Sequence, residues 1–171
     1  MVENTMGVGV GQNASLFLYD NETSNGSAPI GGVAQGALVM TLDGELPVEF
    51  LSVGDRVITR GGARVLASLE VVTRSGEMVR IQPGALGHER PGHELLLPPE
   101  TRIFLRDWRA EALYGAKTAL VPVHRLVDGE FVTCVSVAQK RVFILGFESE
   151  EIIYVDGVQL ATEPVRVGAK V

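Results

Sequence analysis

Residues 36–57, which read GALVMTLDGELPVEFLSVGDRV, decide the fold of this chain. Apolar and β-branched residues flank the pair Asp43 and Gly44, and the following run, 56–60, has the composition of a strand. Tight hairpin turns need a positive φ, which glycine accepts freely and aspartate tolerates. We therefore predict a β-hairpin at Asp43 and Gly44, followed by another strand.

The same kind of two-residue turn signal recurs along the rest of the chain. Each signal lies between β-branched runs such as Ile152–Val155, so each predicts a hairpin. The further pairs are Gly61-Gly62, Ser75-Gly76, Asp128-Gly129 and Asp156-Gly157. Together these signals predict an all-β domain.

Two segments depart from this strand pattern. Asp107 has the character of a helix N-cap and Gly115 that of a C-terminal stop, which predicts one short helix over Trp108–Tyr114. Residues 83–99 are rich in proline and glycine and are predicted to be largely loop. The fold class is therefore all-β with at most one short helix.

The composition excludes several classes of function. The 171 residues carry a formal net charge of −6, which argues against a nucleic-acid partner. No apolar run approaches the roughly 20 residues of a membrane-spanning helix, and the first residues lack the basic-then-apolar order of a cleavable signal peptide. Cys134 is the only cysteine, so the chain forms no internal disulfide and no site with several thiolate ligands. The compartment and the oligomeric state stay open.

The first 30 residues differ in composition from the rest. All four asparagines lie there, and no Lys or Arg precedes Arg56. We predict a polar N-terminal segment over 1–30, with a short strand at 15–19 and a linker at 21–27, and a β domain over 31–171. Three glycosylation-type triplets begin at Asn13, Asn21 and Asn25, and we interpret them as chance products of a polar linker.

Several segments together resemble Hint (hedgehog/intein) domains of the bacterial Hint-protein kind. Residues 36–57 are similar to the opening of that family, 95–111 and 121–129 to its second segment, and 147–157 to its closing strands. The resemblance implies a compact β fold with a pseudo-two-fold arrangement that brings both ends of the domain to one cleft. On this resemblance the motif residues with structural roles are Gly36, Thr41, Gly44, Gly54 and Asp55.

The family resemblance also implies self-cleavage, and this chain departs from the pattern that performs it. In such domains a Cys or Ser attacks the preceding carbonyl while a Thr and a His polarise the amide. Here the nucleophile position falls on Gly32 and the histidine position on Thr101, whereas further histidine positions fall on Ile144 and Glu150. A glycine has no group that attacks a carbonyl, so these four positions are predicted to be vestigial.

The leading hypothesis is a catalytically inactive Hint domain that acts as a structural or interaction module, with no cofactor and an unidentified protein partner. No asparagine follows Asn25, so splicing by asparagine cyclisation has no residue to use. The alternative is autoproteolytic release of the N-terminal segment through an off-register hydroxyl such as Ser27. A third hypothesis is a small metal- or ligand-binding module, with His88 and His93 as weak metal candidates beside two glutamates.

Two other groups of residues allow more than one interpretation. Cys134 and His124 would form a nucleophile and base. A hairpin at Asp128-Gly129, however, would pair His124 with Thr133 and Val123 with Cys134, which would place His124 and Cys134 on opposite faces. We therefore expect Cys134 to be a buried apolar residue. Trp108 with Arg106 and Arg109 would form a contact surface, and we favour instead a Trp in the core with a snorkelling Arg.

Overall fold

The computed structural model describes residues 32–165, which form thirteen strands and one α-helix. The α-helix, α1, spans Trp108–Tyr114, and two 3-10 helices span Val48–Phe50 and Val123–Leu126. No helix within the described residues is long and apolar enough to cross a membrane. The strands are β1 (Val33–Ala34), β2 (Leu38–Thr41), β3 (Gly44–Pro47), β4 (Arg56–Thr59), β5 (Gly62–Val65), β6 (Ser68–Ile81), β7 (Leu95–Leu97), β8 (Arg102–Leu105), β9 (Ala119–Pro122), β10 (Val132–Phe147), β11 (Ile152–Val155), β12 (Val158–Ala161) and β13 (Glu163–Pro164).

The strands form two sheets around one core. The first sheet has the order β1-β10-β6-β7, and β13 also pairs with β10. The second has the order β3-β2-β4-β11-β12-β8-β9, and β5 also pairs with β4. One cluster of buried apolar side chains draws on both sheets, including Ile81 and Phe143 from the first and Val39, Ile103 and Ile153 from the second. The all-β prediction is confirmed.

Three of the five turn signals form hairpins as predicted. They join β2 to β3, β4 to β5, and β11 to β12. In the first two, a threonine hydroxyl closes the turn: Thr41 Oγ1 donates to the Gly44 carbonyl at 2.7 Å, and Thr59 Oγ1 donates to the Gly62 carbonyl at the same distance. The hydroxyls also accept from the backbone N–H groups of Asp43 and Gly61. Each of these two hairpins therefore has its own threonine lock, by which we mean the hydrogen bonds that the threonine hydroxyl forms across the turn.

The hairpin prediction at Ser75-Gly76 is wrong. Both residues lie inside β6, which pairs with β10 on either side of them. The register shifts between Val137 and Lys140 of β10, and the Gln139 N–H donates to Ser75 Oγ. Gly76 has a φ of 112°, a conformation that glycine adopts easily. It therefore accommodates the register shift within the strand and does not reverse the chain.

The hairpin prediction at Asp128-Gly129 is also wrong. The residues before it form the 3-10 helix Val123–Leu126 instead of a strand, so Val132 pairs with Ile81 of β6. The Asp128 carboxylate accepts the N–H groups of the next residues, at 2.8 Å from Glu130 and Phe131 and 3.0 Å from Val132. These backbone donors, that of Val132 above all, hold the pKa of Asp128 below its usual value because they stabilise the charged form.

The pseudo-two-fold arrangement is visible in matching hairpins. The antiparallel pair β2–β3 ends at Pro47 and is followed directly by the first 3-10 helix. The antiparallel pair β8–β9, whose connection contains α1, ends at Pro122 and is followed directly by the second. In each 3-10 helix, the first N–H donates to the carbonyl of the residue that precedes the strand pair. Val48 donates to Ala37, and Val123 donates to Thr101, both at 2.8 Å. Ala37 and Thr101 are therefore structural counterparts.

The predicted helix is confirmed with its caps. The Asp107 carboxylate accepts the Arg109 N–H at 3.0 Å, and Gly115 ends the helix in a left-handed conformation with φ 65°. The helix buries Ala110, whereas Trp108 is 69% exposed, so the expectation of a core Trp is wrong. A helix of two turns presents one narrow face to the core, and Trp108 lies outside it. Residues 83–99 are loop as predicted, except for β7.

The threonine lock of the first hairpin predicts a measurable contribution to stability. Thr41→Val keeps the shape of the side chain but removes the hydroxyl, so the free energy of unfolding should fall by about 1 kcal/mol. Urea denaturation measures the change. Thr73→Val on the exposed face of β6 is the matched control and should change stability by less than about 0.5 kcal/mol. Equal effects of the two substitutions would contradict a role for the Thr41 hydroxyl.

Candidate functional site

Three of the four positions that we predict to be vestigial lie close together. Thr101, immediately before β8, is 1% exposed, and its Oγ1 donates to the Gly32 carbonyl oxygen at 2.8 Å. Ile144 of β10 lies on the other side of Gly32, because a Cβ atom built on that glycine would stand 3.1 Å from Ile144 Cγ1. The nucleophile position and the positions expected to assist it are thus neighbours in space.

Gly32 has neither the side chain nor the room for a nucleophile. Its φ is 116°, a conformation that L-residues rarely adopt. A Cβ atom built there would lie 2.7 Å from the Phe143 carbonyl oxygen and 3.1 Å from Val142 Cγ1. The closest neighbour is backbone, held in the ladder of β10, so it has little freedom to withdraw. A Cys or Ser at this position would require the strands to shift.

Glu150 forms a different contact from the other three positions. It lies in the connection between β10 and β11, where it forms an ion pair with Arg102 Nη1 at 3.3 Å. Arg102 follows Thr101, so Glu150 adjoins the strand that carries the site. Its neighbour Glu151 accepts hydrogen bonds from Thr59 Oγ1, Arg64 Nε and Ser149 Oγ, at 3.1 to 3.2 Å. These carboxylates join strands to one another.

The motif residues of the opening segment form turn and hairpin contacts. The Gly36 N–H donates to Glu49 Oε2 at 2.8 Å, which links the start of β2 to the first 3-10 helix. The Ser52 N–H donates to Asp55 Oδ2, also at 2.8 Å, and Gly54 adopts a φ of 100° in the same turn. Thr41 and Gly44 form the hairpin lock described above. This geometry gives the five residues architectural contacts.

The structure does not form the strand pairing that we predicted for His124 and Cys134. His124 lies in the second 3-10 helix, and Cys134 pairs with Val79 of β6 rather than with Val123. Cys134 is exposed, so the expectation that it is buried is wrong. Cys134 lies opposite Val79 because the register of the β6–β10 ladder is set by its whole length, from Val132 opposite Ile81 onward.

His88 and His93 both lie exposed in the loop before β7. His93 Nδ1 is 3.2 Å from Asp156 Oδ1. Among residues 32–165, no group of three or more His, Cys, Asp or Glu side chains is placed to hold a metal ion. The loop histidines are therefore not assembled into a metal centre in this structure.

Sequence reasoning missed the contacts of Asp156, which it assigned only to a turn. This residue is 6% exposed, and its Oδ2 accepts the Leu38 N–H at 3.2 Å. Its backbone N–H donates to the Leu38 carbonyl at 2.8 Å, so the turn between β11 and β12 is tied to the start of β2. Nothing local distinguishes this aspartate from Asp43, since both precede a turn glycine.

Gly32→Ala is predicted to destabilise the domain more than Gly36→Ala. Both glycines have positive φ, but a Cβ at Gly36 meets nothing within 4 Å. Gly36→Ala should therefore cost about 1–2 kcal/mol for the backbone conformation. Gly32→Ala should cost about 1–3 kcal/mol more, because the added methyl group meets the Phe143 carbonyl. Denaturant unfolding compares the two, and an equal loss would show that Gly32 has room for a side chain.

The Thr101 hydroxyl is predicted to stabilise the domain by anchoring Gly32. Thr101→Val keeps the volume and removes the donor, so it should lower the free energy of unfolding by about 2 kcal/mol. Thr101→Ser keeps the donor and should lose about 1 kcal/mol for the buried methyl group. Thermal and urea unfolding provide the comparison. If the serine variant were the less stable one, packing rather than the hydrogen bond would explain Thr101.

Comparison with known proteins agrees with this geometry. A family model described as a Hint domain matches residues 32–165. The solution structure of a bacterial intein-like domain from Clostridium thermocellum is similar, with a TM-score of 0.58 and 13% identity over 80% of this chain and 99% of that one. The crystal structure of the gp41-1 intein has a TM-score of 0.51 and 10% identity over 78% of this chain and 98% of its own.

No curated protein matches the sequence. At identities this low the two solved structures establish the fold alone, whereas the family model covers most of the chain and coincides with the residues that form the two sheets. The chain belongs to the Hint domain family.

Proposed function

We propose that this protein is a Hint domain without self-cleaving activity, which acts as a structural or interaction module. The observation that carries the proposal is the environment of Gly32, where a side chain is absent and a Cβ atom would lie 2.7 Å from a backbone oxygen. An acyl shift forms a thioester or ester between a side-chain nucleophile and the neighbouring carbonyl carbon. Without that side chain the first intermediate does not form.

The side chains that would assist cleavage either form other hydrogen bonds or lie in other elements. The Thr101 hydroxyl donates to the Gly32 carbonyl, on the far side of that residue from the bond that an acyl shift would break. The chain has three histidines, and His88 and His93 lie in the loop before β7 while His124 lies in a 3-10 helix. A general acid must lie within hydrogen-bonding reach of the leaving group. At the position where an imidazole would be needed, Thr101 has a hydroxyl whose proton is already donated to the Gly32 carbonyl.

Exposed apolar side chains support the interaction role. Phe50 is 70% exposed and Val53 60%, and both lie in the segment between β3 and β4. Val65 is 55% exposed and ends β5, and the carbonyl of the next residue, Leu66, accepts the Gly54 N–H at 2.8 Å. Trp108 is exposed as well, with the Arg109 guanidinium 5.0 Å from its ring centre. Exposed aromatic and aliphatic groups of this kind are enriched where proteins bind partners.

The intact mass of the full-length chain tests the proposal. The mass should stay at 18.3 kDa in fresh protein and after prolonged incubation at neutral pH with dithiothreitol or hydroxylamine. These nucleophiles cleave any thioester or ester that an acyl shift would form. Ser27→Ala is the matched control and should give the same result, since Ser27 is the hydroxyl on which the alternative depends.

Loss of an N-terminal fragment ending between residues 26 and 31 would overturn the proposal and establish autoproteolysis. If Ser27→Ala then abolished cleavage, Ser27 would be the nucleophile. If cleavage persisted in that variant, the nucleophile would lie elsewhere in the chain.

A further inference from the structure

A cleft of about 320 Å³ lies on the second sheet, away from Gly32. It is bounded by the loop before β7, by the end of β8 with the start of α1, and by the turn between β11 and β12. Its volume is within the range of small-molecule sites in proteins. The lining residues that matter for its chemistry are Arg90, Phe104, Arg106, Asp107, Val158 and Gln159.

The cleft concentrates positive charge in a chain whose net charge is −6. Arg90 and Arg106 are exposed, and neither guanidinium forms an ion pair with any residue in 32–165. Arg60 contacts two residues that line the cleft. Its Nη1 donates to Gln159 Oε1 at 2.9 Å, and its guanidinium lies 4.7 Å from the centre of the Phe104 ring. Asp107 is the one carboxylate among the described residues that lines the cleft, and Arg109 Nη1 forms an ion pair with its Oδ2 at 2.6 Å.

The backbone around Arg90 is held on both sides. The Leu86 N–H donates to the Arg90 carbonyl at 2.8 Å, and the Arg90 N–H donates to the Gly87 carbonyl at 3.1 Å. Leu86 is buried, and Arg109 Nη2 donates to the Ala85 carbonyl at 3.1 Å, which fastens the loop to α1. A ligand would therefore meet a formed site and would not have to order this loop.

The positions of these groups indicate the ligand class. A guanidinium presents planar pairs of N–H donors that match the oxygens of a carboxylate or a phosphate. The apolar lining residues Val158 and Ile103 are almost fully buried, so the accessible lining of the cleft is mostly polar and charge would dominate recognition. We propose that this cleft binds a small organic anion bearing a carboxylate or phosphate group, with Arg90 and Arg106 as its ligands. The proposal goes beyond the interaction role above and shares no residue with the Gly32 site.

Calorimetric titration of the full-length chain tests this site. The probes are succinate for a carboxylate ligand and glycerol phosphate for a phosphate ligand, at physiological ionic strength. At least one should bind saturably at one site per chain, and Arg90→Gln and Arg106→Gln should each weaken it about tenfold or more, as expected for the loss of a hydrogen bond to a charged group. Arg56→Gln, on β4, makes the same charge change outside the cleft and should leave the affinity within about twofold, because exposed charges there act only through screened solvent.

Amide chemical shifts provide the second measurement. The probe that binds should move the resonances of Leu105, Gly157 and Gln159 while those of Val33 and Thr101 stay unchanged. Failure of both probes to bind saturably would overturn the proposal, and so would an equal loss in all three variants, which would indicate unspecific charge attraction. A short poly-aspartate peptide that bound far more tightly than either probe, with the same dependence on Arg90 and Arg106, would replace the small anion with an acidic protein segment. None of these outcomes depends on whether the chain cleaves itself.

Discussion

The antiparallel ladder between β6 and β10 is the constraint on which the rest of the structure depends. Its register runs from Val132 opposite Ile81 to Gly146 opposite Ser68, and β1, β7 and β13 are added to it. Because β1 pairs Val33 with Phe143, the ladder fixes where the preceding Gly32 lies and places the Phe143 carbonyl in the space that a Cβ would need. The positive φ of Gly32 and the lack of room for a Cβ atom there are thus both consequences of the strand pairing.

Local sequence signals correctly predicted the elements that depend on short-range contacts. They failed where the conformation depends on pairing between β6 and β10. The turns at Asp43-Gly44, Gly61-Gly62 and Asp156-Gly157 and the helix Trp108–Tyr114 need contacts only within a few residues, so their sequences suffice to predict them. Ser75-Gly76 carries the same kind of turn signal, yet β6 pairs with β10 on both sides of these residues, so the chain continues as one strand through an irregularity. The pairing of Cys134 with Val79 follows from the same long-range register, which no local pattern near Cys134 contains.

The candidate site was predictable to a similar extent. The family resemblance identified Gly32, Thr101 and Ile144, and the structure places them together. It could not predict that the Thr101 hydroxyl holds the Gly32 carbonyl, or that Glu150 pairs with Arg102, because both contacts join segments far apart in the sequence. Arg90 and Arg106 also line one cleft although they are distant in sequence. The loop before β7 carries Arg90, and its Ala85 carbonyl accepts a hydrogen bond from Arg109 of α1, close to Arg106 in the chain.

The pseudo-symmetry shows which contacts the architecture needs at two matching positions. Ala37 and Thr101 occupy matching places, and each carbonyl accepts the N–H of the 3-10 helix that follows its hairpin. The first half builds this arrangement around a buried methyl group, so the hairpin itself needs no polar side chain at that place. The hydroxyl of Thr101 adds one contact that Ala37 lacks, the hydrogen bond to Gly32. The Thr101 hydroxyl therefore connects the residue before β8 to the residue before β1, a contact that the matching position in the first half of the domain does not make.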